Sequence, residues 1–183
     1  MIRLFIALAI PDEITIQINQ LRKKICGEND KLKWEDNSKI HLTLKFIGEV
    51  SESLLQPISQ ELSFLEQFNK INCTTSKFGF FFKQNNDPKI LWLGLDLDDS
   101  VAVIVDELNQ RLAKLTIPVE KRKFNSHLTL LRIKNHLTDE FVNRFLNTNV
   151  PRFSFNANKI LLMQSELLPH GSTYKEIKKY YLK

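Results

Sequence analysis

Two stretches of this chain carry the same acid–base and hydroxyl side chains at the same spacing: His41-Leu42-Thr43-Leu44 and His127-Leu128-Thr129-Leu130. They hold two of the chain's four histidines. Both lie in apolar, strand-like runs, where side chains alternate between faces, so the His and Thr of each copy share one face and the leucines take the other. Burying a His or a Thr requires hydrogen-bond partners that a Val would not need, so core packing alone does not ask for this pair twice. An imidazole titrates at about pH 6.5, so a neutral copy can activate water while a protonated copy delivers a proton to a leaving oxygen. The threonine hydroxyls and the imidazolium can hydrogen-bond the non-bridging oxygens of a phosphate. Phosphodiester cleavage is the chemistry these four side chains suit. Neither a metal nor a cofactor is expected, because two His and two Thr make a poor zinc shell and neither motif has a cysteine or carboxylate at ligand spacing.

Elements on either side must bring the two copies together. Residues 1–10 read as a buried first strand. Pro11-Asp12 opens a helix with Ile14, Ile18, Leu21 and Ile25 at helical spacing, and Gly27 closes it. The first motif strand is expected over residues 40–47. Ser51 can cap a helix through Leu54, Leu55, Ile58, Leu62 and Leu65, in which Pro57 marks a kink or a later start. Residues 71–82 and 89–97 read as strands joined by the turn-rich Gln84-Asn85-Asn86-Asp87-Pro88, a hairpin. Ser100 can cap a third helix, with Val101, Ile104, Val105, Leu108, Leu112 and Leu115 as its apolar stripe. The second motif strand is expected over 124–133, a fourth helix starting at Thr138, and strands near 153–164 and 174–182. In each half a long amphipathic helix precedes a motif strand and a second helix follows it. The chain therefore reads as two copies of one unit, their histidines 86 residues apart, packed as lobes of one compact domain over residues 1–183.

Composition sets the bounds. With 183 residues and 43% hydrophobic content, the chain can bury a sizeable core. A net charge of +5 and a pI near 9.2 favour an anionic partner such as a nucleic acid or nucleotide. Cys26 and Cys73 are too few for a disulfide scaffold and lack metal-ligand spacing, so a cytoplasmic setting is expected, with a single bridge between them left open. The Ala7-Leu8-Ala9 triplet resembles a signal cleavage site, but cleavage there would leave only about five apolar residues where a signal needs roughly 7–15. No run approaches the roughly 18 apolar residues of a membrane span.

These residues resemble the 2H phosphoesterases, named for two His-x-Thr/Ser-x motifs, and among them the RNA 2′,3′-cyclic phosphodiesterases once called 2′-5′ RNA ligases. The resemblance spans nearly the whole chain: the Met-Ile-Arg-Leu-Phe-Ile-Ala opening with Pro11, residues 39–50 (KIHLTLKFIGEV), Ile90-Leu91-Trp92-Leu93-Gly94, residues 124–132 (FNSHLTLLR), and Ser165-Glu166-Leu167 with Gly171 and Tyr174. Ser126 departs from the pattern, since relatives usually carry proline before the second His; this should loosen the start of the strand without removing a chemical group. The resemblance implies an α+β, bilobal, LigT-like fold with pseudo-twofold symmetry, antiparallel sheet, helices on the outer face and a central cleft. It also implies hydrolysis of RNA 2′,3′-cyclic phosphate ends to 2′-phosphate ends, with His41 as proton donor to the 3′ oxygen and His127 as proton acceptor. Joining of ends through a 2′-5′ bond would follow from microscopic reversibility.

Further candidates are weaker. Beside the phosphate-binding Thr43 and Thr129, Lys45 is in phase with His41 on an unbroken strand and could reach the phosphate or the RNA backbone, or be only solvated surface. Arg132 is out of phase with His127 and would face the leucine side unless the strand breaks or bulges, yet relatives associate an arginine here with the site. The Lys121-Arg122-Lys123 cluster could steer RNA, or be only a solvated loop. Trp34, Trp92, Phe5 and Phe46 are candidate stacking partners for a base, most of them expected in the core. His136 and His170 are assigned no role. A second enzyme reading changes the substrate to small cyclic nucleotides or nucleotide metabolites. One of another class is a non-catalytic RNA-binding module. The protein is expected to be a monomer.

Overall fold

Strand β1 (Ile2–Ala9) is apolar on both faces, and Leu4, Phe5, Ile6, Ala7 and Leu8 are each buried, the mark of a strand covered from both sides. The chain turns at Pro11, whose carbonyl accepts from the Ile14 and Thr15 amides, and α1 (Asp12–Cys26) follows. Acidic Asp12 and Glu13 begin α1, Lys23 and Lys24 end it, and Gly27 at φ +84° leaves it by bonding its amide to the Lys23 carbonyl. This computed structural model describes residues 1–27, 32–169 and 171–183.

The first motif strand, β2 (His41–Val50), runs further than expected. The single helix expected after Ser51 is instead three short pieces: a 3-10 turn at Glu52–Leu54, α2 (Leu55–Glu61) and a 3-10 stretch at Leu62–Gln67. Pro57 accounts for the first break. It sits in the first turn of α2, where its missing N–H has no partner to lose, whereas an α-helix already running from Ser51 would drive its ring into the Ser53 carbonyl. Strands β3 (Ile71–Phe82) and β4 (Pro88–Leu97) form the expected hairpin, followed by α3 (Ser100–Ala113). Asp98 rather than Ser100 satisfies the start of α3, accepting from the Ser100 amide at 3.1 Å and from its hydroxyl. The second motif strand, β5 (His127–Arg132), is shorter than expected. Helix α4 (Asp139–Leu146) is capped by the Thr138 hydroxyl as anticipated, and β6 (Ser154–Ala157), β7 (Lys159–Leu168) and β8 (Gly171–Tyr181) complete the sheet.

All eight strands join one antiparallel sheet, ordered β6-β3-β4-β5-β2-β1-β7-β8, which curls into a half-barrel. Its halves, β2-β1-β7-β8 and β5-β4-β3-β6, meet where the two motif strands lie side by side. The first half takes β7 and β8 from after β6, with β7 pairing to β1, whereas the second is built from the consecutive strands β3 to β6, with β6 pairing to β3. One face of the sheet, carrying Leu42, Leu128 and Leu162, packs under the helices through Ile14, Ile18, Ile58, Ile104 and Leu108. The opposite, concave face carries the motif histidines. No helix among the described residues is long and apolar enough to cross a membrane.

Candidate active site

Strands β2 and β5 touch through one register pair, Leu42 against Leu128. Both leucines are fully buried, and burying each contributes about 1.5–3 kcal/mol to holding its motif strand on the helical layer. Extending this antiparallel register by one residue sets His41 opposite Thr129 and Thr43 opposite His127. The two His-Thr pairs are thus related by a local twofold through the leucines, and each imidazole faces the other copy's hydroxyl.

The same irregularity interrupts both strands two residues beyond the leucine. In β2 the pairing with β1 steps from Thr43–Ala7 to Lys45–Ile6, and in β5 the pairing with β4 steps from Thr129–Trp92 to Leu131–Leu91. Each step is a bulge that absorbs one residue, Leu44 or Leu130, and reverses the side-chain alternation beyond it. Arg132 therefore lies on the same face as His127 and Thr129, in the cleft, as a break in the strand would require. Its Nε donates to Glu35 Oε1 at 3.0 Å, and that carboxylate aims the guanidinium.

Lys45, which an unbroken alternation puts on the cleft face with His41, is sent the other way. It is 4% exposed, and its Nζ donates to Asn109 Oδ1 at 2.7 Å and to the Pro118 carbonyl at 2.9 Å. Phe46 takes the place in the cleft that Arg132 holds in the second copy, and it is 61% exposed.

Both imidazoles are held alike. His41 Nδ1 lies 2.7 Å from the Lys39 carbonyl, and His127 Nδ1 lies 2.8 Å from the Asn125 carbonyl. A carbonyl only accepts, so Nδ1 carries the proton in each ring and Nε2 keeps the free lone pair. Aromatic rings wall both imidazoles: Phe5 and Tyr174 lie 5.0 and 5.4 Å from His41, and Phe81 and Trp92 lie 4.9 and 6.4 Å from His127. Burial pushes the His41 pKa down to about 4, opposed by its hydrogen bond to Lys39 and reinforced by the charges of Arg132 and His127. Burial also lowers His127, with the Asn125 hydrogen bond opposing and Arg132 reinforcing.

A cleft of about 430 Å³ gathers His41, Thr43, His127, Thr129 and Arg132, with Lys39 and Arg122 adding cations. Of the Lys121-Arg122-Lys123 run, Arg122 reaches this cleft. Ser126, in place of proline, ties the start of β5 instead of loosening it, its hydroxyl bonding to the Leu95 carbonyl. The other aromatic candidates separate clearly. Phe5 is buried against His41, Trp92 packs behind His127, and Trp34 packs on Phe145 beneath Arg22, outside the cleft lining. His136 lies 3.8 Å from Asp87 on the exposed surface, and His170 falls outside the described residues. No disulfide joins Cys26 to Cys73. Among the described residues no group of three or more His, Cys, Asp or Glu could hold a metal ion.

Glu35 and Phe81 escape a reading of the sequence. Glu35 meets Arg132 across 97 residues of chain, and Phe81 looks like any apolar strand residue. The Ser165-Glu166-Leu167 and Tyr174 block does carry a signal, for Ser165, Leu167 and Tyr174 line the cleft.

Comparison with known proteins agrees with this geometry. The LigT like phosphoesterase family matches residues 8–92 and 95–174. The RNA 2′,3′-cyclic phosphodiesterase of Methanocaldococcus jannaschii is 30% identical over 183 residues, covering 97% of this chain and 99% of its own, and that of Thermotoga maritima is 28% identical over 174 residues, covering 94% and 91%. Among solved structures, TT0787 of Thermus thermophilus superposes with a TM-score of 0.78 at 22% identity, covering 98% of this chain and 97% of its own. The Escherichia coli LigT structure with 3′-AMP gives 0.77 at 22% identity, covering 100% and 98%. With both His-Thr pairs on adjoining strands of the LigT half-barrel and a family match over most of its length, this chain belongs to the LigT-like 2H phosphoesterases.

Proposed function

We propose that this protein hydrolyses RNA 2′,3′-cyclic phosphate ends to 2′-phosphomonoester ends without a metal, working as a cytoplasmic monomer. The observation that carries this reading is the matched pair of imidazoles, each held through Nδ1 by a backbone carbonyl and both lining one cleft. In the reaction, water attacks phosphorus and gives its proton to His127 Nε2. The P–O3′ bond breaks, and His41 Nε2 protonates the departing 3′ oxygen. His127 ends protonated and His41 neutral, and exchange with solvent resets the pair. Thr43 and Thr129 donate to the non-bridging oxygens, and Arg132, held by Glu35, offsets the charge that develops there. Phe46, exposed at the cleft, offers a face for the terminal base. If the 5′ hydroxyl of a second RNA replaces water, the same steps join the two through a 2′-5′ bond.

End-group analysis tests this reading, using RNA with a 2′,3′-cyclic phosphate incubated with the protein and a strong chelator. The expected product is a 2′-phosphate. A 3′-phosphate, no hydrolysis, or hydrolysis that stops on chelation and returns with a divalent ion would overturn it.

A further inference from the structure

A second hollow, of about 370 Å³, opens off the cleft toward α3. Thr43, Phe46, Phe81, Arg122 and His127 line both spaces, so the hollow begins where the reacting phosphate would sit. Its far wall comes from Val105 and Asn109 of α3, and its side from Lys123, Phe124 and Asn125. Nothing in the reaction proposed above uses it.

The hollow is built rather than incidental. Buried Lys45 forms its floor, bridging β2 to Asn109 and to Pro118 at the start of the following loop. Asn109 Oδ1 also accepts from the Glu120 amide at 3.1 Å. The Glu120 carboxylate in turn takes Arg122 through Nε and Nη2 at 3.0 and 2.8 Å and through its backbone amide at 3.0 Å. This chain of contacts, from β2 through α3 to the loop, fixes Arg122 at the junction of the two spaces. Arg122, paired to Glu120, and Lys123 are the cations of the following loop that line the hollow.

We infer that this hollow seats the nucleotide preceding the one that bears the cyclic phosphate, which makes the protein selective for RNA ends over cyclic mononucleotides. The inference rests on the RNA-end reading above and extends it. One phosphate is already met in the cleft by His41, Thr43, His127, Thr129 and Arg132. Arg122 and Lys123 beside a mostly apolar hollow suit a second anion attached to a flat ring, and the phosphodiester and base of the preceding nucleotide supply both. Phe46 lines both spaces and so stands between the terminal nucleotide and its neighbour.

The experiment compares a 2′-phosphorylated mononucleotide with a dinucleotide ending in the same 2′-phosphorylated nucleotide, by calorimetric affinity, alongside hydrolysis of the matching 2′,3′-cyclic forms. The dinucleotide is expected to bind about tenfold tighter and to be hydrolysed with a correspondingly higher kcat/KM, through KM. Val105→Trp fills the hollow and should bring the affinity ratio to about one. Should that variant fail to fold, Lys123→Gln, at an exposed position, should cut the salt dependence of dinucleotide binding by about 0.7 in log–log slope and leave that of the mononucleotide unmoved. Equal affinities in the wild-type protein would overturn the inference, as would a dinucleotide advantage that survives Val105→Trp in the folded protein or an unchanged salt slope in Lys123→Gln. Tighter dinucleotide binding without hydrolysis of either cyclic form would keep this inference and overturn the catalytic reading.

Discussion

A proton donor must hold a proton, yet burial sets His41 at about 4 in the unliganded protein. At pH 7 that leaves about one molecule in 10³ with His41 charged. If His41 is to be half protonated there, the bound phosphate must favour its imidazolium by roughly 4 kcal/mol, at about 1.36 kcal/mol for each factor of ten. A single anionic charge about 4 Å away supplies roughly 4 kcal/mol at the effective dielectric of a partly solvated site, so the substrate itself can restore the acid. The perturbation is therefore binding of a non-hydrolysable 2′,3′-cyclic phosphonate analogue of the nucleotide, which carries the single charge of the substrate, and the assay is a titration of both imidazoles by NMR, free and bound. His41 should titrate near 4 when free and close to neutrality when bound, with net proton uptake on binding at pH 6. If the bound protein keeps His41 neutral and His127 takes the proton, the two roles are exchanged and the donor assignment is wrong. The same burial affects stability. Because the folded pKa lies below the unfolded value of about 6.5, His41 adds stability above that pH and withdraws it as pH falls from there toward 4.

Replacing either His41 or His127 with Ala should cut turnover by roughly 10²–10⁴ while the thermal midpoint holds, and Thr43→Ala and Thr129→Ala should be milder; near-normal turnover in a His variant would remove that residue from the chemistry. Arg132→Gln removes a charge that lowers both imidazoles, so both should titrate at higher pH and inorganic phosphate should bind more weakly; unchanged NMR titrations would show that the guanidinium does not act on the pair. Gly79 lies under Trp92, and an added Cβ would fall 2.2 Å from the indole Cζ2. Gly79→Ala should therefore cost about 1–3 kcal/mol in denaturant unfolding and shift the ring behind His127, whereas an unchanged midpoint would mean that Trp92 moves away freely.

The candidate site is legible because its chemistry repeats: two His-Thr pairs on strands need no tertiary information to be noticed. Lys45 and Arg132 show where that legibility stops. Counting along an unbroken strand places both, and a bulge at Leu44 and Leu130 inverts that count in each copy. An awkward arginine on an apolar face hints at the second bulge, whereas a lysine in phase with His41 gives no warning of the first. Bulges depend on pairing with β1 and β4, which the local sequence does not report. The broken second helix is half visible in Pro57, and the short hairpin joining β3 to β4 is visible in its turn residues. The pairing of β1 with β7 spans more than 150 residues and leaves no local mark.

That distant pairing also shapes how the molecule is made. Strand β1 leaves the ribosome before the other strands of this sheet, and one of its edges is covered by β2 soon afterward. Its other edge waits for Ile160–Gln164, more than 150 residues later. Until β7 emerges this apolar strand therefore carries an open ladder of amides and carbonyls, the form most prone to pairing with another molecule. The nascent chain is at its most vulnerable in its most hydrophobic strand, and only the arrival of β7 closes it.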